Sequence, residues 1–91
     1  MYIVTITYNF DSDTVVKSCK TEEDAIKLLN KLLDEEIKTV QTENNYTPSV
    51  LRWEDDDVTL VYAEGYTTKD MNRNYALEDC ANYRVFAVDD I

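Results

Sequence analysis

The side chains with the greatest chemical potential in this sequence are carboxylates. Of the 91 residues, 19 are Asp or Glu and 9 are Lys or Arg, so the formal net charge is −10. Carboxylates serve as general acids and bases, and their oxygens are the hard ligands that Ca²⁺ and Mg²⁺ prefer. They are clustered at residues 11–13, 34–36 and 54–57. Metal binding and acid–base catalysis are therefore the first two kinds of chemistry to weigh.

The acidic turns do not have the spacing of an EF-hand calcium loop. Such a loop needs ligands at alternating positions, a central Gly and a distal Glu. Neither Asp11-Ser12-Asp13 nor the run 54–57 has that arrangement. Consecutive carboxylates on a tight turn also point in different directions. The pattern favours solvated turn residues, and no metal or cofactor is predicted. A small Ca²⁺-responsive protein remains a third hypothesis, since the sequence does not decide whether these turns bind a divalent ion.

Catalysis by other groups is also disfavoured. The sequence contains no His and a single Gly, so it lacks the commonest general base and cannot form a glycine-rich phosphate loop. Cys80 directly follows Glu78 and Asp79. An anionic neighbourhood raises the pKa of a thiol and makes it less reactive. We therefore predict a protein that is not an enzyme.

The two cysteines, Cys19 and Cys80, are too few for a disulfide framework or a cysteine-rich zinc site. Both flank predicted strands, and we favour two small buried thiols in a reducing compartment. A single disulfide bridge between Cys19 and Cys80 is the alternative, and the sequence does not decide between the two. No apolar run is long enough to span a bilayer, and the N-terminus lacks the features of a secretory signal. The expected localisation is cytoplasmic.

The distribution of charge is the most informative feature of the sequence. Residues 54–91 contain ten acidic and three basic residues, and residues 21–44 contain seven acidic and three basic residues. The basic residues are scattered singly, which disfavours direct binding to nucleic acid or to an anionic membrane. Carboxylates spaced on a small rigid domain can instead occupy a basic groove that normally holds a phosphate backbone. Such a protein needs neither a catalytic residue nor a cofactor.

Hydrophobic periodicity predicts the elements that position these groups. Residues 2–10 alternate with period two, as a half-buried strand does. From Thr21, an N-cap followed by acidic residues, apolar residues recur at helical spacing as far as 44–45. Further strands are predicted at 14–19, 49–53, 58–63 and 83–89. Gly65 is expected at a positive φ or at a bulge position at the end of the strand 58–63. The stretch 66–82 is ambiguous, with a short helix capped at Thr67 or Thr68 as one interpretation.

These elements predict one α+β domain over residues 1–91, with the order ββαββ(α)β. An antiparallel sheet of about five strands would be covered on one face by the long amphipathic helix, because each element must bury its apolar side against another.

Three stretches carry a resemblance to known proteins: YIVTITYNFDSD, TEEDAIKLLNKLLDEEI and PSVLRWEDDDVTLVYAEGY. In size, charge and texture the chain resembles the short acidic proteins of unknown function that phages and prophages of Gram-positive bacteria carry. Some members of that group, including anti-CRISPR proteins, inhibit host proteins that handle nucleic acid, often with an acidic face. The resemblance implies an inhibitor of a host defence protein. It implies no role for any individual residue, because the group shares no site motif.

The functional hypothesis is a non-enzymatic protein that binds a basic, nucleic-acid-binding protein surface by imitating the charge of nucleic acid. The alternative is a structural or self-associating module, for instance a homodimer formed by edge-strand pairing. The aromatic candidates are loop or turn residues that could anchor an interface. The predicted partner-binding residues are Asp34, Glu35, Glu36, Glu54, Asp55, Asp56, Asp57, Tyr46, Trp53 and Tyr66.

Overall fold

The computed structural model describes residues 1–9, 14–70 and 79–88. Within them, five strands and one long helix follow one another in the predicted order. Residues 71–78 of the ambiguous stretch 66–82, like the turn 11–13, lie outside the described residues. The elements are β1 (Tyr2–Tyr8), β2 (Thr14–Cys19), α1 (Glu22–Asn44), β3 (Ser49–Arg52), β4 (Val58–Val61) and β5 (Cys80–Ala87).

The five strands form one sheet in the order β2-β1-β5-β4-β3, and every neighbouring pair is antiparallel. The last strand of the chain therefore lies in the middle, between two hairpins. It pairs with all of β1, from Tyr2 opposite Ala87 to Tyr8 opposite Ala81. Its other edge pairs with β4 only from Cys80 to Tyr83, because β4 begins at Val58. The final residues of β5 thus extend past the β3–β4 hairpin.

Helix α1 begins and ends as the sequence predicts. The Thr21 Oγ1 atom accepts a hydrogen bond from the Asp24 backbone N–H at 3.1 Å, which satisfies one of the free amides of the first turn. Asn45 ends the helix in a left-handed conformation with φ of 60°. The helix packs on β1, β5 and β2. The predicted α+β fold, with a five-stranded antiparallel sheet covered by one long helix, is confirmed.

The main core lies between the helix and one face of the sheet. Strand β1 presents Val4, which is fully buried, with Tyr2 and Ile6 partly buried beside it. The buried helix residues that meet them include Leu29 and Leu33. The central strands complete the cluster with Val58, Leu60, Ala81 and Tyr83. Period two in the strands and period 3.6 in the helix therefore bury the faces expected from the sequence.

A second, smaller cluster lies on the opposite face of the sheet, where Leu51, Val61 and Cys80 are buried. Trp53 and Tyr66 pack partly buried against it. The Trp53 indole N–H donates to Thr59 Oγ1 at 2.8 Å, and the Thr59 hydroxyl donates to Asn82 Oδ1 at 2.6 Å. This arrangement explains why all four residues of β4 are buried.

The boundaries of four strands differ from those predicted. Strand β1 ends at Tyr8 rather than at residue 10, β3 ends at Arg52 rather than at residue 53, and β5 ends at Ala87 rather than at residue 89. Strand β5 begins at Cys80 rather than at residue 83, because Asn9 holds Cys80 in place. The Cys80 N–H donates to Asn9 Oδ1 at 2.9 Å, and the Asn9 N–H donates to the Cys80 carbonyl at 2.8 Å. Strand β4 ends at Val61, and the chain then turns through Gly65, whose φ of 77° confirms the predicted positive angle.

The segment after Gly65 begins a helical turn within the described residues. Residues 68–70 are helical. The Asp70 carboxylate accepts from the Thr67 N–H at 2.7 Å and from the Thr67 hydroxyl at 3.0 Å. Thr67 therefore precedes this turn, as one of the two predicted caps. Within the described residues, no helix is both long and apolar enough to cross a membrane.

Candidate acidic interaction surface

The acidic hairpin turn joins β3 to β4 and is closed by the Trp53 N–H, which donates to the Asp57 carbonyl at 2.9 Å. Asp56 occupies a left-handed position with φ of 61°, as the last residue of a three-residue hairpin loop commonly does. Asp and Asn tolerate this region because their short side chains bond locally. Glu54, Asp55 and Asp56 are exposed on this turn.

The hairpin turn and the first two turns of α1 line a common groove. Asp55 and Asp56 line this groove of about 180 Å³ together with Glu22 of the helix. Its remaining lining is contributed by Tyr2, Ile26, Val85 and Ala87. We call this the acidic groove. It exists because β4 begins opposite Tyr83, so that Val85 and Ala87 extend beyond the hairpin.

The acidic end, defined as residues 22–24 and 54–57, is only partly neutralised. Arg84 Nε lies 3.8 Å from Asp57 Oδ2, and Lys27 Nζ lies 3.3 Å from Glu23 Oε1. In the described part of the chain, no ion pair involves Glu22, Asp55 or Asp56. Exposed carboxylates without a cation are available to an external positive group. The acidic end therefore carries three carboxylates that no cation of the described residues neutralises through an ion pair.

Asp57 differs from its neighbours because it is half-buried. Burial raises the pKa of the Asp57 carboxyl above its ordinary value, Arg84 lowers this pKa, and Asp55 and Asp56 raise it further. The net direction is upward. Asp57 is therefore less available to solvent than the exposed acids, and its carboxylate is paired with Arg84.

The helix acids lie elsewhere. Asp34 is twelve residues from Glu22, which places it about 18 Å further along the helix axis. Asp34 and Glu35 line an open groove of about 490 Å³ that also contains Lys27, Lys31 and Lys38. These lysines offset the carboxylate charge locally.

Glu36 lies on a different side of the helix from Asp34 and Glu35. It is half-buried, and its charge contributes to raising the pKa values of the Tyr62 and Tyr83 hydroxyls, for which burial is the larger cause. The structure thus places Asp34 and Glu35 in one groove, with Glu36 outside it, and it places none of the three in the grooves lined by residues 54–57.

The three aromatic candidates are also separated. Tyr46 is half-buried just beyond the C-terminal end of α1, beside Gln41 and Glu64. Tyr66 packs in the second cluster, and its N–H donates to Ser49 Oγ at 2.9 Å. Trp53 lies nearest the acidic turn, where it lines a pocket of about 140 Å³ with Asp56 and Asp57. Trp53 is therefore the one of these three that the structure places beside the acidic end.

Sequence reasoning missed Glu22 and the apolar lining of the acidic groove. The acidic first turn of the helix was visible only as a helix-capping feature, since its charge complements the helix dipole. Nothing in the local pattern places it beside the distant run 54–57. That proximity follows from the packing of the hairpin.

The two thiols cannot form a bridge in this fold. Cys19 pairs with Tyr2 at the start of β1, whereas Cys80 is hydrogen-bonded to Asn9, just after the end of β1. The two cysteines therefore lie at opposite ends of β1. Six strand residues separate those ends by about 20 Å, much further than a disulfide can reach. Both cysteines are free. Burial, with a smaller contribution from Asp79, raises the pKa of the Cys80 thiol.

The described residues contain no group of three or more Cys, Asp or Glu side chains arranged to hold a metal ion. Comparison with protein-family models, curated proteins and solved structures finds no match for this chain. The interpretation of the acidic end therefore depends on its own geometry and charge.

Proposed function

We propose that this protein is a non-enzymatic interaction protein whose acidic end binds a basic surface of a protein partner. The observation that carries the proposal is that the hairpin turn and the first two turns of the helix line one groove. This arrangement places the exposed carboxylates of Glu22, Asp55 and Asp56 around one groove with no ion pair among the described residues.

The proposed partner is a nucleic-acid-binding protein, because clustered Lys and Arg that bind phosphates would also attract this surface. The acidic end would then imitate part of a phosphate backbone. Inhibition of a host defence protein, as in phage-borne inhibitors, is the proposed biological role. The overall charge of −10 supports rapid electrostatic association with such a partner.

A pull-down with matched variants tests this proposal. Tagged protein would capture partners from bacterial lysate, with washes at stepped salt and identification by mass spectrometry. Asp55→Asn with Asp56→Asn removes two charges from the acidic end, and Asn retains tolerance of the left-handed position. The control, Asp34→Asn with Glu35→Gln, removes two charges from the lysine-lined groove.

We expect wild type and control to capture the same nucleic-acid-binding protein, which added DNA or RNA displaces and high salt releases. The acidic-end variant should retain a small fraction of that capture. Equal loss in both variants would mean that net charge alone determines binding, and the proposal of a localised acidic site would be abandoned. Capture unaffected by nucleic acid would contradict charge mimicry.

A second candidate function, self-association, is favoured by a different observation. On the face of the sheet opposite the helix, Phe86 is opposite Ile3, and Val88 bonds to the Met1 carbonyl. Met1, Phe86 and Val88 remain 37–45% exposed. Contiguous exposed apolar groups of this kind often mark interfaces. A dimer through this face would differ from edge-strand pairing, which the bulge in β2 and the shortness of β3 oppose.

Sedimentation equilibrium over a range of protein concentrations tests self-association. A dimer should show a mass that rises with concentration, and Phe86→Lys should restore the monomer mass. A monomer mass of 10.6 kDa at all concentrations would exclude this candidate.

A further inference from the structure

We infer that the acidic groove receives a single arginine side chain from the basic partner. This inference rests on the proposed function, since it names the group by which the partner is recognised. The groove combines two chemistries. Its apolar lining comes from Ile26, Val85 and Ala87, and its carboxylates come from Glu22, Asp55 and Asp56.

The volume of the groove limits its occupant. The groove has a volume of about 180 Å³ and is lined by seven residues. This is suitable for one long side chain, whereas a helix or a strand would need a much longer apolar surface. Four of the lining residues, Glu22, Asp55, Asp56 and Ala87, are exposed, so that a side chain can reach the groove from solvent.

The mixture of groups favours a cation on an aliphatic stem. Long basic side chains bury their methylene groups on apolar surface while the charged head reaches polar groups. A purely apolar side chain would bring the three carboxylates no counter-charge. A small metal ion would leave the apolar lining unused, and the described residues hold no metal-binding group.

Arginine fits better than lysine for two physical reasons. Its planar guanidinium presents five donors, which can bond to carboxylates on both sides of the groove, from the helix and from the hairpin. It also packs favourably on aromatic rings, and Tyr2 lines the groove. A lysine ammonium is a more strongly hydrated point charge and would lose more on leaving water.

The first test uses small probes that isolate the side chain. The ¹H–¹⁵N spectrum of the full chain would be titrated with N-acetyl-arginine methylamide, N-acetyl-lysine methylamide and N-acetyl-norleucine methylamide. We expect the arginine probe to shift the amide signals of Glu22, Ile26, Asp55 and Ala87 saturably. Its affinity should exceed that of the lysine probe about threefold, and norleucine should give no saturable shift. Equal binding by lysine and arginine, or shifts elsewhere only, would overturn the inference.

A groove-filling variant separates this inference from the proposed function. Ala87→Trp places a large side chain in the groove and keeps every carboxylate, whereas Val50→Trp adds the same group on the exposed edge strand β3. Both positions are exposed. Circular dichroism would be used to verify that each variant folds. We expect Ala87→Trp to weaken arginine-probe binding at least tenfold, and partner capture in parallel, with Val50→Trp unchanged.

The outcomes distinguish the two proposals. Should Ala87→Trp capture the partner as well as wild type while Asp55→Asn with Asp56→Asn does not, the acidic end would bind the partner without an arginine in the groove. The inference would then be wrong and the proposed function would stand. Should the charge variant also capture normally, both would be wrong.

Discussion

At the level of single residues, three non-glycine positions within residues 1–9, 14–70 and 79–88 have left-handed backbone angles, and each lies where an element ends or turns. Asn9 follows β1, Asn45 ends α1, and Asp56 completes the acidic hairpin turn. Asn and Asp visit this region at lower cost than other L-residues. The acid at position 56 therefore has two roles, because it shapes the turn and presents a charge.

The substitution Asp56→Ala should lower the free energy of unfolding by about 1 kcal/mol, the cost of a left-handed angle in a residue without a bonding side chain. The adjacent change Asp55→Ala removes the same charge without a left-handed angle, and it should leave stability within about 0.5 kcal/mol. Urea denaturation of both variants measures the difference. Equal effects would show that charge, rather than backbone geometry, dominates at this turn.

The pH dependence of stability tests the environment of Asp57. Because burial raises its pKa in the folded state, the folded protein binds more protons at this site than the unfolded chain. Stability from this group is therefore greatest at acidic pH and falls as pH rises from the unfolded pKa, near 3.8, through the higher folded pKa.

The variant Asp57→Asn should lack this decrease, so its free energy of unfolding should fall less than that of wild type over the same pH range. Asp34→Asn serves as a charge-matched control on the exposed helix surface. Urea titrations at several pH values provide the comparison. A steeper fall in Asp57→Asn than in wild type would mean that the Arg84 contact outweighs burial.

At the level of elements, the pairing of β1 with β5 organises the molecule, because it joins the two hairpins into one sheet. The first residue of β5 is held by the side chain and backbone of Asn9. This contact connects residues 71 positions apart in the chain. Strand β5 in turn supplies Val85 and Ala87 to the acidic groove. The groove therefore depends on the register of this central strand.

Replacement of Asn9 should loosen the start of β5. Asn9→Ala removes the acceptor of the Cys80 N–H and leaves a left-handed alanine, so we expect a loss of about 2 kcal/mol in stability. Asn9→Gly removes the same acceptor but adopts the angle freely, and should cost less. Hydrogen exchange at the Cys80 amide should accelerate in both variants. Unchanged exchange would show that the side-chain bond does not protect this end of β5.

At the level of the whole molecule, charge repulsion opposes folding of a small domain with a net charge of −10. The two ion pairs found among the described residues are partly exposed or exposed, and such pairs contribute little. Stability should therefore come mainly from the two apolar clusters. A cationic partner would reduce this repulsion on binding.

Salt should stabilise the protein. Raising NaCl from about 10 mM to about 500 mM shortens the Debye length from about 30 Å to a few Å, which screens repulsion between carboxylates. We expect the melting temperature to rise, and to rise less in the variant Asp55→Asn with Asp56→Asn. Calorimetry provides the measurement. A melting temperature that falls with salt would mean that attractive pairs outweigh repulsion.

Much of the fold could be predicted because it is encoded locally. The β1–β2 hairpin, the helix with its Thr21 cap and Asn45 end, and the β3–β4 hairpin each follow from short-range periodicity and turn chemistry. The exposure of Glu54, Asp55 and Asp56 follows in the same way, since a tight turn of acids has no reason to be buried. Candidate residues on that turn could therefore be named from the sequence.

The tertiary structure alone decided which distant groups meet. Periodicity carries no information on strand order, so the insertion of β5 between β1 and β4 had to come from packing. That insertion sets where Val85 and Ala87 extend past the hairpin, and it brings Glu22 beside Asp55 and Asp56. It also keeps the two thiols at opposite ends of β1. The acidic charge of this protein is a property of its sequence. The groove that brings three of the carboxylates together exists only in the folded sheet, with β5 between β1 and β4.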